Sequence, residues 1–167
     1  MSVTFGRNAQ ISSVLVELHA LDAQGRDALR CAVDRIHDEP LTRDTVMSFE
    51  ADLDRHLREL EVAIRSYGGA PGARPRRRPD LVRDAAAFDA PTTTAVLRVL
   101  KQNEDEIVRR YQVALADLRA PAPVLDLVRR CRNDSLRHRA WIAARVDAFS
   151  RTSRPAPGER DSRTSVV

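Results

Sequence analysis

The stretch Thr93–Leu118, TTAVLRVLKQNEDEIVRRYQVALADL, decides the fold of this chain. Its apolar residues recur every three to four positions, which predicts a long amphipathic helix with one buried face. Glu104 falls on that face, in the gap between Leu100 and Ile107. A carboxylate among apolar side chains must pair with a cation, take up a proton or bind a metal ion, because an unpaired buried charge is very costly. What Glu104 meets inside the protein is therefore the main functional question.

The same periodicity predicts three further long helices. The four predicted helices cover residues 8–37, 42–67, 93–118 and 124–149. Thr42 is the predicted N-cap of the second helix, with Thr45 as the alternative. Gly25 lies on the buried face of the first helix, where it indicates a close approach to another helix that a side chain would block.

A long connection separates the second predicted helix from the third. It begins with the stop signal Gly68-Gly69, continues as APGARPRRRP, and has room for one short helix within Pro79–Phe88. A helix pair, a long crossover and a second helix pair is typical of ferritin-like topology. We therefore predict an all-α, ferritin-like four-helix bundle with a long connection between helices 2 and 3.

Length and composition predict one domain at residues 1–150, followed by a disordered tail at 151–167 that is rich in Pro, Ser and Arg. No segment approaches the roughly 20 consecutive apolar residues of a membrane span. The first residues lack the charged start and apolar run of a signal peptide, so we expect a cytoplasmic location and no membrane partner. Cys31 and Cys131 lie far apart in the sequence, which favours two small buried thiols, with a disulfide as the alternative.

The basic excess is small and spread along the chain: 28 Lys and Arg residues face 24 Asp and Glu residues, for a formal charge of +4. The strongest basic patch lies in the long connection and consists of Arg74, Arg76, Arg77 and Arg78. A solvated loop is the favoured interpretation, and a contact with phosphate or nucleic acid is the alternative. No aromatic residues interleave the arginines, as a site that stacks single-stranded bases would require.

The first helix carries apolar residues beyond a single stripe, at Val14, Val16 and Leu21. Contiguous exposed apolar surface often marks an interface between proteins. We therefore predict a homo-oligomer, most simply a dimer that uses this face.

Each predicted helix places an ionisable residue near its middle. The candidate metal ligands are Asp22, His56, Glu59, Glu104, Asp134 and His138. A di-iron carboxylate site in a bundle uses one Glu from each of two helices and a Glu-x-x-His pair from each of the other two, since residues three apart share a helix face. Carboxylate and imidazole ligands suit iron or manganese.

The chain departs from that pattern, because it contains no Glu-x-x-His pair. The second helix carries His56-x-x-Glu59 in the reverse order, and the fourth carries Asp134-x-x-x-His138. A hydrogen-bonded, salt-bridged polar layer with arginine partners is therefore favoured over a metal site. No catalytic residue is predicted.

Several segments resemble a family of small bacterial ferritin-like proteins that is grouped as a domain of unknown function. Asn103–Leu115, NEDEIVRRYQVAL, resembles the third-helix motif GED…Y…AL of that family. Leu21–Gly25 is similar to its first-helix DGE-G segment, and Arg58–Leu60 followed by Tyr67–Gly69 is similar to its second-helix EL…LGG ending. Arg137–Ile142 resembles its fourth-helix H-x-x-I segment.

The resemblance extends over roughly residues 11–149 and implies a ferritin-like bundle. It also implies Glu59, Glu104 and His138 as ligand positions. The first-helix Glu of the family is Gln24 here, and the long connection is shorter, which counts against metal binding.

From these observations we expect a non-enzymatic structural or stress-associated bundle protein with a degenerate metal site. The first alternative is a carboxylate–histidine di-metal protein in which iron or manganese handles oxygen or peroxide. The second alternative is a basic module that binds nucleic acid or a protein partner.

Overall fold

The computed structural model describes residues 2–76, 80–82, 85–89 and 92–152, and within these ranges it contains helices and no strand. The helices are α1 (Ser2–Val33), α2 (Pro40–Ser66), a short 3₁₀ helix (Ala85–Phe88), α3 (Thr93–Asp117) and α4 (Ala122–Thr152). The prediction of an all-α chain with four long helices is confirmed.

The predicted boundaries differ from the observed ones most at α1, which begins at Ser2 rather than at residue 8 and ends at Val33 rather than at residue 37. α1 ends at Val33, and α2 begins at Pro40, since the fixed φ of proline suits the first helical position and its missing N–H is not needed there. The prediction of Thr42 as the N-cap is wrong, because Glu39 holds that position. The Thr42 side chain is buried, and its Oγ1 accepts a hydrogen bond from Arg145 Nε at 2.9 Å. Of the predicted tail, residues 151 and 152 belong to α4, and the remainder lies outside the described residues.

The four helices form a bundle in which α1 lies beside α2 and α3, and α4 lies beside α3 and α2. Neighbouring helices are antiparallel. Between α2 and α4, for example, Glu39 near the start of α2 pairs with Arg145 near the end of α4, whereas Glu59 pairs with Arg130. The parallel pairs, α1 with α4 and α2 with α3, are the diagonals of the bundle.

Two apolar cores fill the bundle, one towards each end. The first includes Leu15, Leu60, Tyr111 and Leu127, and the second includes Leu29, Phe49, Leu97 and Ile142. Between them lies a layer of buried polar side chains. The bundle is therefore an apolar structure with a polar section at mid-height.

α1 contributes to the cores on more than one side. Leu21 is 1% exposed and Val16 is 6% exposed, so these two residues of the predicted dimer face are covered within the single chain, and Val14 is partly buried. The prediction that this face of α1 is an exposed apolar patch is therefore wrong, because α1 packs against both α2 and α3. A homo-oligomer stays a prediction.

The close approach predicted at Gly25 is present. A Cβ atom there would lie 3.0 Å from Ile107 Cδ1 and 3.2 Å from Leu53 Cδ1. Leu53 and Ile107 belong to α2 and α3. The absence of a side chain at Gly25 therefore lets α1 pack closely against both helices, next to the polar layer.

The long connection is fastened to the bundle at Asn103 of α3. The buried Asn103 side chain accepts a hydrogen bond from Val82 N at 2.8 Å and donates one to Val82 O at 2.7 Å. Leu81 and Phe88 flank this point and are buried. The amide thus acts as a backbone-like partner that holds the crossover against α3.

Candidate functional site: a buried histidine–carboxylate layer

The polar section at mid-height receives side chains from all four long helices. Its fully buried members, each at most 2% exposed, are Asp22, His56, Glu104, Tyr111, Ser135 and His138. The layer divides into two halves, each centred on one histidine.

His56 of α2 forms the first half of the layer. Its Nε2 atom is hydrogen-bonded to Asp134 Oδ2 of α4 at 3.1 Å, and its Nδ1 atom lies 3.3 Å from Asp22 Oδ2 of α1. The Tyr111 hydroxyl of α3 donates to the same Asp22 oxygen at 2.6 Å. One imidazole thus connects residues from three helices.

His138 of α4 forms the second half in the same way. Its Nε2 atom is hydrogen-bonded to Asp52 Oδ2 of α2 at 3.0 Å, and its Nδ1 atom lies 3.7 Å from Glu104 Oε1 of α3. The ring stacks on Phe49, with 4.1 Å between the ring centroids. The carboxylate singled out in α3 therefore faces a histidine across the bundle.

The two halves are built from a repeated five-residue segment. Residues 52–56 read DLDRH and residues 134–138 read DSLRH, so both segments have the form Asp-x-x-Arg-His. Each histidine bonds the aspartate of the other segment. Antiparallel packing of α2 and α4 produces this exchange, because the start of each segment lies beside the end of the other.

The arginines of the two segments cover the layer from outside. Arg55 donates to Asp52 Oδ1 at 2.8 Å and to Asp134 Oδ2 at 2.6 Å. Arg137 donates to Asp134 Oδ1 at 2.5 Å and to Asp52 Oδ2 at 2.6 Å. Both aspartates are thus held by one histidine from inside and by two arginines from the surface.

These contacts set the charges of the layer. Burial by itself lowers the pKa of His56, but hydrogen bonding and charge at Asp22 and Cys131 raise it overall to about 11. Burial raises the pKa of the Cys131 thiol, and its contact with His56 opposes that rise in part. His56 is therefore an imidazolium at neutral pH.

The two outer aspartates are carboxylates. Burial raises the pKa of Asp52, but hydrogen bonds from His138 and Arg55 lower it overall. Burial likewise acts against Asp134, and His56 and Arg137 lower its pKa overall.

The pKa of Glu104 is shifted in the opposite direction, upwards. Burial raises its pKa, and the interaction with His138 opposes that rise only in part. At 3.7 Å the Glu104–His138 contact is longer than a hydrogen bond. Glu104 therefore holds its proton more readily than an exposed glutamate.

Several atoms on the inner side of the layer have no hydrogen-bond partner within the described residues. They are Asp22 Oδ1, His56 Nδ1, Glu104 Oε2, Ser135 Oγ and His138 Nδ1. Buried polar groups without partners are costly. The outer side of the layer is thus fully bonded, whereas the inner side keeps unused donors and acceptors.

Five of the six candidate ligand residues lie in the layer. Asp22, His56 and Asp134 meet in one half, and Glu104 and His138 meet in the other. Glu59 is not brought into the layer: it lies on the surface, where Arg130 donates to it at 2.9 Å. The ion pair between Arg26 and Asp54 also lies outside the layer.

One acidic residue of the layer, Asp52, was missed, although the sequence carried a signal for it. Asp52 pairs with His138, and it stands four residues before His56 just as Asp134 stands four before His138. Periodicity places Tyr111 on the buried face of α3, but it does not identify Asp22 as the partner of the tyrosine hydroxyl.

The positions that would complete a di-metal pattern are occupied by other residues. A Glu-x-x-His pair needs a glutamate three residues before each histidine; those positions hold Leu53 and Ser135, and both are fully buried. Among the residues that the structure describes, no group of three or more His, Cys, Asp or Glu side chains is arranged to hold a metal ion.

The remaining candidate residues lie away from this layer. Arg74 and Arg76 are exposed in the connection, and Arg77 and Arg78 lie outside the described residues. Cys31 and Cys131 are free thiols, the first half-buried and the second buried, so the alternative of a disulfide is wrong. No helix in the described part of the chain is long and apolar enough to cross a membrane.

Comparison of the sequence with protein-family models and with curated proteins found no match.

Proposed function

We propose that this chain is a non-enzymatic ferritin-like bundle protein of structural or stress-associated role, in which a network of buried ion pairs occupies the place of a metal site. The observation that carries the proposal is the engagement of both histidines. Each Nε2 atom is bonded to an aspartate, and each Nδ1 atom faces a buried carboxylate. The imidazolium of His56 supplies the positive charge that a metal ion would otherwise bring.

The ferritin-like part of the proposal rests on topology. α2 ends at Ser66 and α3 begins at Thr93, and all four neighbouring pairs are antiparallel. That combination requires the intervening segment to run the length of the bundle. Asn103, which holds Val82 at mid-height, fits a crossover that passes along α3.

The structural role follows from where the network sits. Direct α2–α4 packing is the sparsest among the four neighbouring pairs. Two ion pairs, Arg55–Asp134 and Arg137–Asp52, and the bonds of each histidine to the opposite aspartate join these two helices. A buried polar layer that is satisfied in only one register favours one arrangement of helices over its alternatives. We assign the layer the task of fixing the register of α2 against α4.

A second candidate function is metal binding, and the unpartnered inner atoms favour it. His56 Nδ1, His138 Nδ1, Asp22 Oδ1 and Glu104 Oε2 come from four different helices and make no hydrogen bond among the described residues, although their side chains would have to move to surround one ion. This donor set suits iron or manganese, which would supply chemistry with oxygen or peroxide when bound. His56 must first lose its proton, because only the neutral imidazole binds a metal ion.

The deciding experiment is the metal content of protein purified without chelator, compared with the Glu104→Ala variant. Glu59→Ala is the matched control, since Glu59 is an acid on the surface of the same bundle. Our proposal expects no stoichiometric iron or manganese in any of the three proteins, even after iron loading at neutral pH. Near-stoichiometric metal in the wild type and in Glu59→Ala, lost in Glu104→Ala, would replace the proposal with the metal-binding function.

A variant designed to gain metal binding also tests whether the layer is a degenerate metal site. Ser135→Glu creates the order Glu-x-x-His in α4, three residues before His138. If the layer is a degenerate metal site, the melting temperature of this variant should rise with added Mn²⁺, and that of the wild type should stay unchanged. A folded Ser135→Glu protein whose melting temperature ignores Mn²⁺ would contradict the degenerate-site interpretation.

A further inference from the structure

A groove runs along the α2/α4 side of the bundle, beyond the histidine–carboxylate layer. It encloses about 550 Å³, within the range of small-molecule sites. Its floor includes Val124 and Leu127, each 6% exposed, and its rim includes Val62, which is 64% exposed. This apolar depression opens to water on the side of the bundle where direct helix packing is sparsest, and exposed apolar grooves commonly mark binding sites.

One end of the groove is basic. Arg58 and Arg130 line it together with Glu59, and Arg130 donates to Glu59 at 2.9 Å. Arg58 makes no ion pair with another described residue. Two guanidinium groups against one carboxylate leave an excess positive charge at this end.

The other end of the groove is apolar. Because α2 and α4 are antiparallel, the direction from Arg58 to Tyr67 in α2 is also the direction from Arg130 to Pro123 in α4. Nine residues of helix correspond to about 13 Å. The groove therefore has a polarity: it has a cationic end and an apolar remainder, and its total length from Arg58 to Tyr67 is about 13 Å.

We propose that this groove binds a carboxylate with a linear apolar chain, of the medium-chain fatty acid class. The carboxylate lies at Arg58 and Arg130, and the chain covers Val124 and Leu127 beside Val62. The excess positive charge selects an anionic head group, and the length of the floor limits the chain. This site is separate from the buried layer and does not depend on the function proposed for it.

The test is calorimetric titration of the full chain with decanoate below its micelle concentration. We expect one decanoate per chain. Val62→Glu places a carboxylate beside the apolar chain and weakens binding more than tenfold, and Arg58→Ala weakens it about two- to fivefold, as for an exposed ion pair. Decanol, which has no charge, should bind the wild type more weakly than decanoate does. Its affinity for the Arg58→Ala variant should equal its affinity for the wild type.

Two variants serve as matched controls. Val113→Glu adds a carboxylate at a half-exposed valine outside the groove, and Arg65→Ala removes an exposed α2 arginine that pairs with Glu61. Neither should change the affinity for decanoate. Absence of decanoate binding, or equal loss in Val62→Glu and Val113→Glu, would overturn the proposal. A dimer in solution that Val62→Glu dissociates would also overturn it, since the groove would then be covered by a second copy of the chain.

Discussion

Folding of this chain should be coupled to uptake of a proton at His56, and Asp22→Asn should remove that coupling. His56 is 2% exposed and Asp22 is fully buried, with 3.3 Å between Nδ1 and Oδ2. Burial disfavours the imidazolium, but Asp22 and Cys131 raise the pKa of His56 to about 11 in the folded protein. In the unfolded chain the same group has a pKa of about 6.5.

The sign of the effect follows from these two values. A raised pKa in the folded state means that the contribution of His56 to stability is fully present below pH 6.5 and is lost as the pH rises towards 11. Between these limits the folded chain keeps a proton that the unfolded chain releases, so the free energy of unfolding falls by about 1.4 kcal/mol per pH unit from this group. From pH 7 to pH 9 the loss is about 3 kcal/mol.

Asp22→Asn keeps an acceptor for the Tyr111 hydroxyl but leaves His56 without its inner negative charge. Breaking a buried ion pair in this way costs about 3–5 kcal/mol at neutral pH. The variant loses the pH dependence that His56 confers, because its imidazole becomes neutral at a much lower pH. The difference in stability between wild type and variant therefore shrinks by about 3 kcal/mol from pH 7 to pH 9.

Urea unfolding followed by far-UV circular dichroism measures these free energies at each pH. Asp54→Asn is the control, since Asp54 also lies on α2 but pairs with Arg26 rather than with a histidine. A direct readout is the ¹⁵N shift of the His56 ring, which should report an imidazolium at pH 9 in the wild type. Parallel pH profiles for wild type and Asp22→Asn, or a neutral His56 ring at pH 9, would refute the reasoning.

Three further predictions concern the rest of the chain. Asn103→Ala leaves both polar atoms of Val82 without their partner and should lower the free energy of unfolding by about 1–3 kcal/mol, with faster hydrogen exchange of the Val82 amide. Gly69→Ala places a Cβ atom 2.9 Å from two side-chain atoms and should cost about 1–3 kcal/mol in urea unfolding, as overpacking does. If the connection bound nucleic acid, Arg74→Ala with Arg76→Ala would reduce a steeply salt-dependent affinity; we expect no such binding in a DNA filter assay with the wild type.

Periodicity predicted the helices because burial repeats every three to four residues along each of them. It placed the start of α3 at Thr93, where the Thr92 side chain accepts a hydrogen bond from Ala95 N. It failed at Pro40, because a proline that ends one helix in sequence can equally begin the next. The choice between these roles depends on how Thr42 packs against Arg145, a contact across 103 residues.

Contacts between residues far apart in the sequence also limited the prediction of the candidate site. Burial of Glu104 and His138 follows from their positions in the helical pattern, so their meeting at mid-height could be predicted. Which histidine pairs with which carboxylate depends on the register of α2 against α4, and helix propensities do not determine that register. The Asp-x-x-Arg-His repeat was the available signal, since two like segments in antiparallel helices satisfy each other only when they are level.

The exchange of partners between the two segments has the symmetry of an isologous contact, in which each surface binds the other through the same set of groups. The chain can accordingly be regarded as two helical hairpins, α1–α2 and α3–α4, that associate about an approximate dyad through Asp52, His56, Asp134 and His138. Each hairpin leaves its own aspartate without a histidine when alone. The long connection is then a tether that raises the effective concentration of one hairpin near the other, and cleaving it between the hairpins should convert one folding unit into a concentration-dependent pair.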